Sequence, residues 1–163
     1  MLVPTLPLGY DLLMSRLDVQ FLDQGLHRVM FDAMPMPVFL VDKNVTILDY
    51  NAAAARLLGQ KKDSILRKPS GEILHCVHSL ESPQGCGHSS VCADCVVRKS
   101  VAAAYQGKRV VRQQTTMELF SGGTRRKVDL KVSTNPLQYQ EQSFVLLVLE
   151  GLNDSVMQAQ RPQ

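Results

Sequence analysis

The 163-residue sequence predicts an α+β domain in which helices lie on one face of a five-stranded antiparallel sheet. Two strand-like stretches lie between residues 38 and 50, and three more follow residue 110. The residues between them carry helical signals, and an amphipathic helix precedes them all. Two strands, then helices, then three antiparallel strands is an order typical of this fold class, and the length suits one domain.

An amphipathic helix is predicted over residues 12–34, which ends where Pro35 and Pro37 break the pattern. Its apolar residues form two stripes with a spacing of four, namely Leu13, Leu17 and Phe21, and Leu22, Leu26 and Met30. The two stripes differ in phase, so the apolar face is broad and needs more than one partner surface. We therefore expect residues 1–34 to form a helix through which two copies of the chain pair as a homodimer. The same helix is expected to contact the body of the domain.

A hairpin and two helical segments are predicted next, at residues 38–41, 45–50, 52–58 and 63–67. Residues 42–44, Asp-Lys-Asn, form the hairpin turn. Asn51 caps the helix that follows the hairpin, and Gly59 ends it. Residues 70–95 show weak periodicity and hold all four cysteines of the chain, so they are predicted to be an insertion.

The last third is predicted to contain one helix and three strands, at residues 94–106, 110–120, 128–133 and 144–149. One face of the first strand is expected to carry Val111, Gln113, Thr115, Met117 and Leu119. The second strand alternates apolar and polar residues, so one of its faces is solvated. Residues 144–149 are all apolar, as expected of a central strand that is covered on both sides. Residues 153–163 are a polar tail or linker.

The four cysteines, Cys76, Cys86, Cys92 and Cys95, are clustered in the segment of weak periodicity. In a reducing compartment such clustering indicates metal or redox chemistry more than structural disulfides. A soft tetrahedral ion or an iron–sulfur cluster needs several thiolates that converge within a few ångströms. Gly85 and Gly87 flank Cys86 and allow the backbone to wrap tightly. Cys95 lies near the start of the helix at residues 94–106, whose positive end favours an anionic site.

The order of the elements, with the residues at their joints, resembles the PAS domain family. Residues 37–42, Pro-Val-Phe-Leu-Val-Asp, and 47–54, Ile-Leu-Asp-Tyr-Asn-Ala-Ala-Ala, are similar to its first hairpin and the helix opened by Asn. Residues 133–154 are similar to its final hairpin and exit helix. The resemblance covers residues 35–152 and implies a sensor module that signals through flanking helices. No kinase nucleotide site or helix-turn-helix is apparent, so we expect the output to lie in a downstream protein or domain outside this sequence, such as a kinase or transcription regulator.

The cysteine segment also resembles a subset of bacterial PAS domains in which Gly-Cys-Gly and Cys-x-x-Cys interrupt the middle helices. The matching pieces here are His75-Cys76, Gly85-Cys86-Gly87 and Cys92-Ala93-Asp94-Cys95-Val96-Val97-Arg98. PAS domains with an iron–sulfur cluster are oxygen or redox sensors, so the resemblance implies a cluster held by the four cysteines. The PAS domains that hold an iron–sulfur cluster have two Cys-x-x-Cys pairs, whereas this chain has one. A structural zinc site in an interaction module, and a reversible disulfide within the Cys-x-x-Cys pair, therefore stay open.

Histidines offer alternative ligands, because His75, His78 or His88 could replace one of the cysteines, and His88 is the best placed. A c-type haem is excluded, since Val96 stands where that attachment motif needs histidine. No nucleophile, base and orienting residue are arranged for catalysis, so we expect no enzymatic activity.

Charge and hydropathy argue against further classes of protein. The net charge of +3 arises from interleaved acidic and basic residues, so we expect no nucleic-acid binding. The longest apolar run, residues 144–149, is far shorter than the roughly 20 residues of a membrane helix. No secretion signal is apparent, and we expect a cytoplasmic protein. The sequence thus predicts a sensor of redox state, oxygen or nitric oxide.

Overall fold

The computed structural model describes residues 25–152. The predictions for residues 12–24 and for the tail at 153–163 lie outside the described residues. The described end of the N-terminal helix is α1, His27–Ala33, and the helix ends there because prolines follow at positions 35 and 37. Within residues 25–152, no helix is long and apolar enough to cross a membrane.

Five antiparallel strands form one sheet, as predicted, and their order across it is β2-β1-β5-β4-β3. The strands are β1 Val38–Val41, β2 Ile47–Tyr50, β3 Val110–Ser121, β4 Thr124–Tyr139 and β5 Gln142–Glu150. The helices after α1 are α2 Ala52–Leu58, α3 Lys62–Ile65, α4 Ser70–Ile73, α5 Val77–Glu81 and α6 Val96–Tyr105. A 3₁₀ helix, Ser90–Asp94, precedes α6, and α6 lies against β3, β4 and β5.

Asn51 joins the first hairpin to α2, as the sequence predicts for a cap. Its side chain is fully buried, and its Oδ1 accepts hydrogen bonds from the backbone N–H groups of Ala54, at 3.0 Å, and Val38, at 3.1 Å. Its Nδ2 donates to the carbonyl oxygens of Met34 and Met36. Only a side chain with both donor and acceptor groups satisfies all four backbone groups at this joint.

The core lies between the helices and one face of the sheet. Along β5 one set of alternate residues is fully buried and the other is half-buried: Val145, Leu147 and Leu149, and Phe144, Leu146 and Val148. β5 is central in the sheet, as predicted, because it pairs with β1 on one side and with β4 on the other. The described residues cover only one of its faces, however, so the apolar run does not mark burial on both sides.

β3 departs from the predicted alternation at its start. Its pairing with β4 shifts register after Val110, and Arg112 has a φ of 49°. A bulge of this kind moves the following residues out of phase. Val111 is therefore 67% exposed, whereas Met117 and Leu119 face the core as predicted.

Residues 70–95, predicted as an insertion of weak periodicity, fold into α4, α5 and the 3₁₀ helix. They also contribute Ile73, Leu74 and Val77 to the buried residues of the domain. Helices of four or five residues make barely more than one turn, so they show no measurable hydrophobic period. This is why the segment could not be assigned from its sequence pattern.

Arg28 fastens α1 to the rest of the domain. Its guanidinium donates to the carboxylates of Asp32, at 2.9 Å, and Asp49, at 2.8 Å, and to the carbonyl of Tyr50. Asp32 also accepts a hydrogen bond of 2.9 Å from the N–H of Ala52, the first residue of α2. A change in the orientation of α1 would therefore reach both β2 and α2.

Candidate metal centre

A cavity of about 390 Å³ lies between the helices and β3. Its wall includes residues of α4, α5, the 3₁₀ helix, the first turn of α6 and β3. The wall also holds all four cysteines, each of them a half-buried free thiol: Cys76, Cys86, Cys92 and Cys95. The fold thus gathers at one cavity the four side chains that were predicted as ligands.

Cys76 is placed by a contact between α5 and β3. It directly precedes α5, and its backbone pairs with Leu119 of β3 in an isolated bridge. Next to this bridge the N–H of Phe120 donates a 2.8 Å hydrogen bond to the carbonyl of His75. Because two adjacent backbone contacts hold this joint, the position of Cys76 is tied to the sheet.

Cys92 and Cys95 lie on one turn of backbone at the start of α6. Cys92 belongs to the 3₁₀ helix, and Cys95 is the N-cap residue of α6. The N–H of Cys95 donates to the carbonyl of Cys92 at 3.3 Å, which keeps the two residues in one tight turn. The positive end of the α6 dipole favours negative charge beside Cys95.

Cys86 lies in the loop after α5, where two glycines make room for its neighbours. A Cβ atom added to Gly71 would lie 2.6 Å from Cys86 Sγ and 3.6 Å from Cys76 Cβ. Gly87 has a φ of 96°, and a Cβ there would lie 2.7 to 2.9 Å from atoms of the Arg98 guanidinium. The absence of both side chains therefore lets backbone and a cation approach the sulfur of Cys86.

Burial raises the pKa of the Cys76 thiol above its ordinary value. Hydrogen bonds to its sulfur from the backbone N–H groups of Ser79 and His78 lower this pKa in part. Negative charge on Cys95 or Cys86 raises the pKa again, so thiolates in this cavity repel one another. Coordination to a cation removes that cost, because metal binding needs deprotonated thiols and neutralises them.

Burial is also the main cause that raises the pKa of Cys86. The Arg98 guanidinium and a hydrogen bond from the Gly71 N–H act in the opposite direction. Arg98 Nη1 donates to Cys86 Sγ at 3.7 Å and to the carbonyl of Asn44, in the β1–β2 turn, at 3.4 Å. Arg98 thus connects this cysteine to the first hairpin.

Of the three histidines in the cysteine segment, His78 is the one that lines the cavity. Its Nδ1 lies 3.7 Å from a carboxylate oxygen of Glu81. His75 is half-buried and His88 is exposed, and neither belongs to the cavity wall. Among residues 25–152, no three His, Cys, Asp or Glu side chains are close enough together to hold a single metal ion.

Three residues at the cavity were given no role at the site by the sequence reasoning, namely Gly71, Ser79 and Arg98. Arg98 follows Cys95 by three positions on a predicted helix, and this spacing could have indicated it. Gly71 and Ser79 have no such signal, because their importance comes from contacts between separate segments. Ser79 is 5% exposed, and its Oγ has no hydrogen-bond partner among the described residues.

Comparisons with known proteins agree with this architecture. Residues 25–88 match the family model described as a PAS domain. The matched range includes Cys76 and Cys86 and ends before Cys92 and Cys95. No curated protein matches the chain.

Among solved structures, the PAS domain of nitrogen regulation protein NR(II) from Vibrio parahaemolyticus is similar, with a TM-score of 0.56 and 16% identity over 78% of this chain and 99% of that chain. A domain of a sensory box sensor histidine kinase/response regulator from Geobacter sulfurreducens has a TM-score of 0.49 and 18% identity, over 79% of this chain and 95% of that one. The PAS domain of BvgS from Bordetella pertussis also has a TM-score of 0.49 and 18% identity, over 80% and 87%. Of these three structures, the one from Vibrio parahaemolyticus has a TM-score above 0.5, and it is the one that shows the fold. The family match over residues 25–88 and the fold agree, so the described part of the chain has a PAS-like fold.

Proposed function

We propose that this PAS-like domain is a sensory module that holds an iron–sulfur cluster at Cys76, Cys86, Cys92 and Cys95. The observation that carries the proposal is that all four thiols line one cavity. Thiolates are the usual protein ligands of such clusters. A cluster would supply a centre whose charge changes with redox state and which oxygen or nitric oxide can attack. PAS domains are typical of sensory signalling proteins, so the module is proposed to sense rather than to catalyse.

The cavity has room for a cluster as well as for a single zinc ion. Zn–S bonds of about 2.3 Å would draw four sulfurs to within about 4 Å of one another, and would leave most of the space unused. The volume of about 390 Å³ falls within the roughly 300–1,000 Å³ that small-molecule sites occupy. A structural zinc site in an interaction module is the alternative that the experiment below separates.

The groups around the sulfurs suit an anionic centre. Backbone N–H groups reach Cys76 and Cys86, and the Arg98 guanidinium lies beside Cys86. Hydrogen bonds and positive charge near the sulfurs stabilise coordinated thiolates and set the reduction potential of a cluster.

The route from the site to the rest of the domain begins at two residues. Cys95 caps α6, which lies against three strands of the sheet, so release of its sulfur would alter the start of this helix. Arg98 joins Cys86 to Asn44 in the first hairpin. The output is proposed to pass through the segments that flank the domain to a downstream signalling protein or domain, such as a kinase or transcription regulator.

A homodimer formed through the N-terminal helix belongs to the same proposal. α1 has no buried residue, and apolar side chains on it and just before it are exposed: Leu26, Val29 and Met30. Val29 and Met30 are 64% and 59% exposed, so this face offers apolar surface to a second copy.

The test is to purify the full chain without oxygen, and to measure its visible spectrum, iron, acid-labile sulfide and zinc. The proposal expects brown protein with iron and sulfide, which bleaches on exposure to air or nitric oxide. Each single Cys→Ser variant should lose most of the iron. His88→Ala, in the same segment but outside the cavity wall, is the matched control and should keep it. Colourless protein with one zinc per chain would contradict the cluster and support the structural alternative.

A further inference from the structure

Val45, in the turn that joins β1 to β2, has a backbone conformation that valine rarely adopts. Its φ is 65°, in the left-handed region, and its side chain is 1% exposed, so it is fixed inside the core. A β-branched side chain crowds the backbone in this region, and such a residue persists only where surrounding contacts hold it. The contacts that hold Val45 therefore decide whether the turn keeps this strained shape.

Two contacts fasten the turn to helices, and they reach neighbouring carbonyl groups. The carbonyl of Asn44 accepts a hydrogen bond from Arg98 Nη1 at 3.4 Å. The carbonyl of Val45 accepts one from the N–H of Ser70 at 2.9 Å, and Ser70 is the first residue of α4. The turn is thus held by a side chain of α6 on one side and by the backbone of α4 on the other.

Both contacts lead to the sulfur of Cys86. Arg98 Nη1 donates to Cys86 Sγ at 3.7 Å, and the N–H of Gly71, the residue after Ser70, donates to the same sulfur. Gly87 has no side chain, so its backbone lies against the Arg98 guanidinium and keeps it beside the sulfur. The groups that hold the strained turn are therefore the donors to Cys86 or their direct neighbours along the chain.

We propose that the β1–β2 turn, residues 42–46, is a conformational switch controlled by the bond between Cys86 and the group bound in the cavity. This inference rests on the proposed function, because it needs a metal-containing group at Cys86. In the loaded chain Cys86 is a thiolate, and hydrogen bonds from Arg98 and Gly71 to a thiolate are stronger than those to a neutral thiol. These bonds keep Arg98 and α4 in place and hold the turn closed.

On release of the group, Cys86 takes a proton from water and both hydrogen bonds to its sulfur weaken. Arg98 and Ser70 then hold the carbonyls of Asn44 and Val45 less firmly. The strain at Val45 favours an open turn, so the population of open turns rises. Lys43 and Asn44 are exposed, so the opening changes the surface of the domain.

The experiment is amide hydrogen exchange of the full chain, measured by mass spectrometry under anaerobic conditions. The chain is compared with its cluster bound, after metal removal by a chelator, and after reloading with Zn²⁺. Exchange at residues 44–46 and at residue 70 should be about tenfold faster in the metal-free chain, which corresponds to about 1.4 kcal/mol in the opening equilibrium. Exchange in α2, which contributes no residue to the cavity wall, should stay the same.

Arg98→Gln removes the contact with Asn44, so the tenfold difference between loaded and metal-free chains should fall to about threefold or less. Lys99→Gln is the matched control, because Lys99 pairs with Asp94 at 2.7 Å, and it should keep the full difference. Equal differences in the two variants would contradict the role of Arg98.

The strain at Val45 is tested by a comparison of Val45→Gly with Val45→Ala in the metal-free state. Glycine adopts a positive φ without steric cost, whereas alanine does not. Val45→Gly should therefore exchange more slowly at the turn than Val45→Ala, although it loses one more buried carbon. The reverse order would show that no strain is stored at this residue.

The outcomes separate the switch from the proposed function. A wild-type chain that takes up neither a cluster nor zinc overturns both. A chain that binds zinc but no cluster overturns the cluster alone, and its zinc-loaded form then decides the switch by the same comparison. Equal exchange at the turn in loaded and metal-free chains overturns the switch alone. An equal rise at the turn and in α2 also overturns it, because the bound group would then stabilise the whole domain.

Discussion

Gly71 lies against two of the cysteines, and any side chain at this position would enter the space of Cys86. The 2.6 Å separation between an added Cβ and Cys86 Sγ is shorter than real Cβ contacts, so the Cys86 side chain would have to move away from its present position. We expect Gly71→Ala to reduce the iron bound per chain severalfold. Gly25→Ala is the control, because a Cβ there meets no atom within 4 Å. Full iron content in Gly71→Ala would contradict this prediction, because it would mean that iron binding does not depend on the present position of Cys86.

Arg98 places positive charge beside Cys86. Loss of a charge-assisted hydrogen bond to a thiolate costs about 1.5 kcal/mol or more, which corresponds to roughly tenfold in an equilibrium constant. Arg98→Gln should therefore lose iron about tenfold more readily to a chelator under anaerobic conditions. Lys99→Gln removes a neighbouring charge that pairs with Asp94 at 2.7 Å instead, and should behave as the wild type. Equal iron loss in both variants would assign the effect to net charge alone.

Single functional residues could be predicted from the sequence where residues of one reactive type lie close together along the chain. Four cysteines in a short segment could be selected by spacing, and all of them line one cavity. Ser79 and Gly71 could not be selected, because a serine and a glycine are common in any chain. Their significance depends on contacts with sulfur that only folding creates.

Among the elements, the joint between the first hairpin and α2 depends on one side chain. Asn51 is fully buried and bonds four backbone groups. Asn51→Ala should lower the free energy of unfolding by about 2–4 kcal/mol, since it removes a helix cap and leaves buried groups unpaired. Urea denaturation measures this change. Asn44→Ala, at an exposed asparagine in the adjacent turn, should change it by less than about 0.5 kcal/mol.

The ion pair between α1 and β2 tests how firmly the N-terminal helix is attached. Arg28 and Asp49 are 2.8 Å apart, with side chains 42% and 35% exposed, so solvent weakens their attraction. A double-mutant cycle with Arg28→Ala and Asp49→Ala should give a coupling energy of about 0.5–1 kcal/mol. The same cycle on Lys99 and Asp94, a shorter but far more exposed pair, should show no measurable coupling. Zero coupling for the first pair would mean that α1 is held by other contacts.

Element types were predictable wherever a local signal was long enough. The first hairpin, α2 and α6 follow from caps, glycines and apolar spacing, and the structure confirms them. The predicted face of Val111, at the start of β3, was wrong because a bulge at Arg112 changes its phase. The alternation of single residues in the sequence does not reveal a bulge. α4 and α5 escaped assignment since each is too short to display a period.

For the whole molecule, the N-terminal helix is predicted to pair with a second copy. Light scattering coupled to size exclusion should give the mass of a dimer for the full chain. Replacement of both Val29 and Met30 by Glu places charge on exposed apolar positions of α1 and should yield monomers. Val111→Glu is the control, because Val111 is 67% exposed on β3, away from this helix. A wild-type monomer, or a dimer that survives both substitutions, would contradict pairing through α1.

The sequence alone determined the α+β class, the sheet of five strands and the identity of the four cysteines, because these depend on local periodicity, capping residues and composition. The tertiary structure alone decided that residues 70–95 join the core and that the cysteines surround one cavity. It also decided that Gly71, Ser79 and Arg98 border the sulfurs. The physical reason is that burial and close approach are properties of segments brought together by folding. No spacing along the chain encodes them.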